Sequence, residues 1–89
     1  MMKTIIIDGN EILNIAEIHS IFAQELSFPE WYGKNLDALY DCLGDVSEEA
    51  EIVFENVPEL EENLGVSFEK LCRLLEDVSS ENDNISVEI

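Results

Sequence analysis

The chain has 89 residues, of which 46% are hydrophobic, and its 21 acidic residues against four Lys and Arg give a net charge of −17. This hydrophobic content belongs to a folding chain rather than a disordered acidic tail, and the length suits a single domain over residues 1–89. The charge argues against direct binding to nucleic acid or an anionic membrane surface, and it favours a cationic partner.

The N-terminal part of the chain predicts a strand followed by a helix. Residues 5–7 are three consecutive isoleucines within a strand predicted over residues 3–8, and such an unbroken run is typical of a strand covered on both faces. Asn14 is the expected N-cap of the helix, with Glu17 three residues later as its capping-box partner. Apolar residues at helical spacing extend this helix to about Leu26.

A loop follows, in which two aromatic residues stand together. Pro29 biases the chain away from helix, and Gly33 can adopt a positive φ. Trp31 and Tyr32 lie between these two turn residues. Core packing is expected for at least one of the two rings. Asn35 then ends the loop as the predicted N-cap of a second helix.

The second helix carries acidic side chains beside an apolar stripe. Its leucines at positions 36, 39 and 43 fall on one face at about 100° per residue. Asp37 and Asp41 lie together on a flank, and Tyr40 lies at the boundary between the flank and the stripe. Like charges at this spacing cost an isolated helix about 0.2–0.5 kcal/mol, so the pair does not help folding. Gly44 is expected to close the helix in the left-handed conformation.

The C-terminal half alternates strands and helices again. Ser67 is the expected cap of the longer helix, and Gly65 is expected just past the end of the short helix before it. Strict alternation of apolar and polar residues marks the last strand. The predicted elements are a strand, a short helical segment, a longer helix and a final strand, at residues 51–57, 58–64, 68–78 and 85–89.

The order of elements predicts an α/β fold. Helices separate each pair of strands, and strands joined through helices are normally parallel with right-handed crossovers. We therefore expect a three-stranded parallel sheet packed against three to four helices. The sequence leaves the order of the strands in the sheet open.

No pattern in the chain supports catalysis. A nucleophile with a base, a phosphate-cradling glycine loop and a C-x-x-C pair are all missing, so we predict that the protein is not an enzyme. Asp37 and Asp41, with Glu30, could in principle bind a hard cation, but their spacing resembles no calcium loop. We expect no metal or cofactor. His19 is the chain's single histidine and is expected to be a packed or surface residue.

The cysteines and the N-terminus indicate a cytoplasmic protein. Cys42 and Cys72 fall on helix stripes, where a free cysteine behaves as a small hydrophobic residue. The apolar run at residues 5–7 is too short for a signal peptide or a membrane span. A leaderless chain predicts a reducing compartment and unpaired thiols, although a disulfide is not excluded.

A protein-binding function explains the residues of the loop and the second helix better than catalysis does. Rings are common anchors of protein interfaces, and Trp31 and Tyr40 flank the acids of the second helix. The alternative is that Asp37 and Asp41 are simply solvated on an acidic surface.

Residues 29–43, with the sequence PEWYGKNLDALYDCL, resemble the signature of the barstar family of ribonuclease inhibitors. The motif combines an aromatic pair, Gly, Asn, Leu, Asp, Ala and a second Asp four residues later. The resemblance continues more weakly through residues 6–26 and into the last helix and strand. It implies a barstar-like fold, a small parallel sheet covered by helices, which agrees with the order of elements above.

The resemblance implies an inhibitor that plugs the active-site groove of a small, basic, secreted guanyl-type ribonuclease. Asp41 would be the central acid at the position of the substrate phosphate, and Asp37 would pair with a neighbouring cation. Further contacts would come from the rings of two aromatic residues, the backbone and amide of the loop, and the last helix. These residues are Trp31 and Tyr40, Gly33 and Asn35, and Asp77. The free protein would be a monomer.

The sequence also departs from the family pattern. Tyr40 stands where the family's best-known inhibitor has Trp, and Trp31 stands where it has Tyr. The segment from Gly44 to Gly65 shows little resemblance and is more acidic. A second hypothesis therefore stays open, in which the chain is an acidic adaptor for a basic protein other than a ribonuclease.

Overall fold

The computed structural model describes residues 2–89, which form three strands and four helices. The chain order is β-α-α-β-α-α-β, so the predicted alternation of strands and helices is confirmed, and the short helical segment predicted at residues 58–64 is a helix of its own. In chain order the elements are β1 (Lys3–Asp8), α1 (Ile15–Glu25), α2 (Leu36–Gly44), β2 (Ala50–Glu55), α3 (Val57–Leu64), α4 (Val66–Glu81) and β3 (Ile85–Glu88).

The strands form one parallel sheet in the order β1-β2-β3. Ile5 lies beside Ile52, and Ile52 lies beside Val87, which sets the register across the sheet. Right-handed crossovers that step in one direction along a sheet put all connecting helices on the same side. The α/β fold class with a three-stranded parallel sheet is therefore confirmed, and its helices form a single layer.

The second face of the sheet is open, which corrects one expectation. Ile5 and Ile7 are buried under the helices, but Ile6 between them is 53% exposed. The three-isoleucine run had predicted a strand covered on both faces. That prediction is wrong because all the helices cross on one side, and the sequence run does not reveal this.

The core lies between the sheet and the helical layer. It is built from apolar side chains that recur at helical spacing on α1, α2 and α4 and at alternate positions on the strands. Fully buried examples from the helices are Ile18, Phe22, Leu39, Leu43, Leu71, Leu75 and Val78. Helix α2 also packs directly on α4. The orientation of α2 is therefore fixed by its leucines, which pack into the core, and by its contact with α4.

Local capping follows the sequence at the starts of α1 and α2 and at the end of α3, and it departs from the sequence at the start of α4. The side-chain oxygen of Asn14 accepts from the Glu17 N–H at 3.1 Å, and that of Asn35 accepts from the Ala38 N–H at 2.8 Å. The Ser67 cap is wrong, because α4 already begins at Val66. Gly65, at φ +56°, is the single residue between α3 and α4 and caps both, so it lies just past the end of the short helix as expected.

The charge of the chain is poorly balanced by its own structure. Lys3 and Glu25, 3.3 Å apart, make the one ion pair found within residues 2–89. None of the four helices has a basic residue in its last turn, where a cation would stabilise the helix dipole. The folded chain therefore carries repulsion that counter-ions can screen.

Added salt is expected to stabilise the free protein. Raising sodium chloride from low concentration should increase the free energy of unfolding by about 1 kcal/mol, or roughly 4–8 °C in the thermal midpoint for a domain of this size. Thermal melts followed by circular dichroism would measure this at neutral pH. The gain should shrink near pH 4, where carboxylates are partly protonated. A salt effect of equal size at both pH values would contradict the electrostatic explanation.

Candidate functional site

The loop between α1 and α2 is shaped by two residues in the left-handed conformation, Ser27 and Lys34, at φ 54° and 52°. The Tyr32 N–H donates to the Pro29 carbonyl at 2.9 Å and closes a turn inside the loop. The left-handed position expected at Gly33 therefore falls on the next residue. The similar expectation for Gly44 is also wrong, because it is the last residue of α2 and Asp45 follows it in a right-handed conformation.

Tyr32 and Trp31 point in opposite directions from this loop. Tyr32 is only 7% exposed and packs edge-to-face on Phe28, with ring centroids 5.0 Å apart. Its hydroxyl is hydrogen-bonded to Nδ1 of His19 on α1 at 2.5 Å. Trp31 is 80% exposed. The prediction that at least one of the two rings packs in the core is confirmed, and the buried Tyr32 leaves its neighbour displayed on the surface.

Burial changes the protonation of the His19–Tyr32 pair. His19 is 3% exposed, and its pKa is lowered first by burial and then by the positive charge of Lys34. Burial, and to a smaller extent the nearby Cys42 thiol, raises the pKa of Tyr32 to about 12. Both groups are therefore neutral at pH 7. Of the two outcomes expected for His19, a packed or a surface residue, the structure shows the packed one.

Acid is expected to destabilise the chain through His19. Its pKa is lower in the folded state than the value of about 6.5 expected when unfolded, so the unfolded state takes up the proton first. The stability due to neutral His19 is complete above pH 6.5 and is lost as pH falls toward the folded-state pKa. Urea titrations of wild type and His19→Asn between pH 7.5 and 5 should give unfolding free energies whose difference shrinks in acid. A constant difference would contradict the assignment.

Helix α2 presents a row of carboxylates to solvent. Asp37, Asp41 and Asp45 follow one another at intervals of four residues and are exposed, whereas Leu39 and Leu43 are fully buried. At about 100° per residue, Asp41 points almost directly away from the buried leucines. The spacing puts all three acids on one side of the helix. The structure thus brings the two predicted acids together and adds Asp45 to them.

Asp41 is expected to lower the stability of the free protein. It lies in the last turn of α2, where the helix dipole opposes an anion, and one turn from two other aspartates. Asp41→Ala should raise the free energy of unfolding by about 0.5–1.5 kcal/mol. Asp37→Ala is the matched control, because Asp37 lies in the first turn, where the dipole favours it, and it should give a smaller gain. Urea denaturation would measure both, and a destabilised Asp41→Ala protein would contradict this account.

Tyr40 links α2 to the end of α4. Its ring is partly buried against the core, and its hydroxyl donates to the carboxylate of Glu81. That hydrogen bond, followed by partial burial and the charges of Glu81, Asp77 and Asp41, raises the pKa of Tyr40. The structure therefore gathers three carboxylates around one phenol. Asp77, an expected site residue, is exposed on this side of the molecule.

Glu81 was missed by sequence reasoning. The feature of the sequence that pointed to Glu81 was its position four residues after Asp77, which puts both side chains on one face of α4. The hydrogen bond to Tyr40 joins residues 41 apart in sequence, so it could not be read from local pattern.

The remaining expected site residues, Gly33 and Asn35, have local structural roles. The Asn35 amide group caps α2 through its oxygen and donates weakly to the Gly33 carbonyl at 3.4 Å. Gly33 itself is exposed. These contacts hold the loop in a fixed position against the first turn of α2.

Other features of the described residues bear on the class of site. Within residues 2–89, no group of three or more His, Cys, Asp or Glu side chains is placed to hold a metal ion. None of the four helices is long and apolar enough to cross a membrane. Cys42 and Cys72 are free and partly buried.

Comparison with known proteins identifies this small α/β domain with its acidic, exposed helix. The protein-family model described as Barstar (barnase inhibitor) matches residues 2–89. The chain therefore belongs to the barstar family, as its motif indicated. A Bacillus subtilis (strain 168) protein named "Putative ribonuclease inhibitor YrdF" is 52% identical over 42 residues, which cover 47% of this chain and 46% of that protein. The match thus spans about half the length of this curated relative.

Proposed function

We propose that this protein inhibits a small, basic, guanyl-type ribonuclease of the barnase-like secreted class by inserting α2 and the preceding loop into its active-site groove. Family membership and the name of the relative support a ribonuclease-inhibitor role. The observation that carries the binding mode is the exposed position of Asp41 in the acidic row of α2, directly opposite the buried leucines.

The chemistry of the target favours this arrangement. A ribonuclease groove is lined by cationic side chains that stabilise the phosphates of RNA, and carboxylates on a rigid helix can satisfy them without offering a bond to cleave. Asp41 occupies the position of the substrate phosphate, and Asp37 pairs with a neighbouring cation. Charge pairs of this kind set the orientation of partners and suppress wrong ones.

The other contacts come from both flanks of the acidic row. The exposed ring of Trp31 packs on the enzyme from the loop side, and the ring of Tyr40 packs from the side of α4. The loop contributes backbone and amide groups. The proposed contact residues are Trp31, Gly33, Asn35, Asp37, Tyr40, Asp41 and Asp77.

The proposed mechanism needs no reaction on the part of this chain. The family's description names an inhibitor, which supports the prediction that the protein is not an enzyme. No cofactor or metal takes part in the mechanism, and one copy of the chain is sufficient to block one enzyme.

A panel of small basic ribonucleases from microbial secretions tests the proposal. Each enzyme is mixed with the purified protein, and cleavage of a fluorogenic RNA substrate is followed. We expect at least one enzyme to lose its activity at a stoichiometric amount of the protein. The variant Glu62→Ala, altered on α3 outside the proposed surface, should inhibit as well as wild type. Full activity of every enzyme at micromolar inhibitor would contradict the proposal, and retention of a basic protein that is not a nuclease in a pull-down would favour an adaptor.

A further inference from the structure

A groove of about 400 Å³ lies beside the acidic row of α2. It runs between the loop that follows α1 and the connector that follows α2. Its apolar lining comes from Phe28 and Leu26 on one side and from Val46 and Cys42 on the other, and the exposed ring of Trp31 borders it. The volume falls within the roughly 300–1,000 Å³ of ordinary ligand sites.

The residues that line this groove carry more negative than positive charge. Lys3 and Glu25 also line it, but they neutralise each other as an ion pair 3.3 Å apart. Asp45 and Glu48 line it as well, are exposed, and have no ion-pair partner within residues 2–89. Burial, followed by the charges of Asp45 and Asp41, raises the pKa of the Cys42 thiol that lines the groove. The groove therefore combines apolar walls with two unbalanced negative charges.

We propose that this groove receives a single cationic side chain of the inhibited ribonuclease, with Arg favoured over Lys, at a position separate from the one that Asp41 fills. The inference rests on the proposed function and extends it, because it defines a second contact that distinguishes one basic ribonuclease from another.

An Arg side chain matches each part of the groove. Its methylene stem covers the apolar lining, while its head stays near water and the carboxylates. The planar guanidinium can pair with Asp45 or Glu48 and stack on the Trp31 indole, whereas an ammonium group lacks this planar geometry. A neutral apolar side chain would leave the excess negative charge without a partner.

The groove is continuous with the acidic row. Asp45 follows Asp41 by four residues, so both carboxylates lie on one side at the end of α2. Cys42, which follows Asp41 directly, lines the groove. An enzyme seated on Asp41 therefore extends over the mouth of the groove on one flank and meets Tyr40 and α4 on the other.

The preference of the groove for an arginine side chain can be tested without knowing the enzyme. N-acetyl-arginine amide is titrated into the ¹⁵N-labelled protein, with N-acetyl-lysine amide and N-acetyl-leucine amide as comparisons. We expect saturable shifts at the indole N–H of Trp31 and the backbone amides of Phe28, Val46 and Glu48. The dissociation constant for the arginine probe should be on the order of 1–10 mM, as suits so small a ligand. The lysine probe should bind more weakly, and the leucine probe should cause no saturable shift.

Matched variants assign the binding to the groove. The double variant Asp45→Asn/Glu48→Gln should weaken arginine-amide binding about five- to tenfold, from two exposed charge contacts. Trp31→Ala should weaken it about two- to fivefold. The control Glu61→Gln/Glu69→Gln removes the same charge beside a different surface cavity and should leave binding unchanged. Equal weakening by the control variant, or equal binding of the leucine probe, would overturn the proposal.

A second measurement separates this inference from the proposed function. With any ribonuclease that wild type inhibits, Asp45→Asn/Glu48→Gln should raise the inhibition constant about five- to tenfold, while Glu61→Gln/Glu69→Gln should not. An unchanged inhibition constant would overturn the groove contact and leave the ribonuclease-inhibitor function standing. If no ribonuclease is inhibited, the proposed function fails, and the groove's assignment to a ribonuclease side chain fails with it even where the arginine probe binds.

Discussion

Replacing Asp41 with Ala is expected to weaken inhibition of the target ribonuclease at least about thirtyfold, the loss of 2 kcal/mol that marks an interface hot spot. Asp41 is exposed at the centre of the acidic row and has no ion-pair partner of its own among residues 2–89. Without its carboxylate, the cations of the enzyme's phosphate site would be covered by the inhibitor yet left unpaired. Inhibition constants from cleavage of a fluorogenic RNA substrate would measure the effect.

The controls for this prediction separate the site from general charge. Glu62→Ala removes one exposed negative charge from α3 and is expected to change the inhibition constant by less than about threefold. Asp41→Asn keeps the shape of the side chain but removes its charge. If it weakens inhibition nearly as much as Asp41→Ala does, the effect is due to the charge. Because Asp41→Ala is also expected to stabilise the free chain, weaker inhibition could not be attributed to unfolding. Equal effects of Asp41→Ala and Glu62→Ala would exclude Asp41 as the central contact.

Replacing Leu39 with Ala is expected to cost about 2–5 kcal/mol of folding free energy. Leu39 is fully buried between α2 and the rest of the core, so the change removes apolar contacts and leaves a cavity. Domains of this size have about 5–15 kcal/mol of stability in total, and this chain also carries repulsion between its many acidic side chains. Urea denaturation should show a large fall in the midpoint, and inhibition should weaken as the folded fraction decreases.

Leu13→Ala provides the same chemical change at a surface position. Leu13 is 70% exposed, and its truncation should alter the free energy of unfolding by less than about 0.5 kcal/mol. Binding of the ribonuclease should partly restore the stability of Leu39→Ala, because a partner that binds only the folded state shifts the folding equilibrium toward that state. Similar stabilities for the two variants would contradict the placement of α2 on the core.

Much of the fold could be predicted because local signals agreed with one another. Asn14 and Asn35 were correct as N-caps, since each offers a side-chain oxygen to the N–H three residues later. The exposure of Ile6 could not be predicted, because it depends on the order of the strands in the sheet and not on the apolar run itself. Ser67 was misplaced because only Gly65 separates α3 from α4, so that α4 already begins at Val66.

The part of the candidate site that lies on a single helix could be predicted from the sequence. The motif and the helical spacing located Asp37 and Asp41, and the family match supports the resemblance drawn from them. The contact between Tyr40 and Glu81 joins two helices, and the groove beside Trp31 is formed by two separate connectors. Neither can be derived from spacing along the chain, because both depend on how α2 packs against the remaining elements.

The hydrogen bond between His19 and Tyr32 has a consequence for the entropy of binding. It ties the loop before α2 to α1 inside the core, so the conformational freedom of this loop is lost during folding and not on meeting a partner. Trp31, the next residue along the chain, is displayed by a backbone that is already in place. A preorganised loop needs less ordering when the complex forms, which increases affinity without adding any contact. A buried pair outside the proposed interface therefore contributes to how tightly the protein can hold its proposed partner.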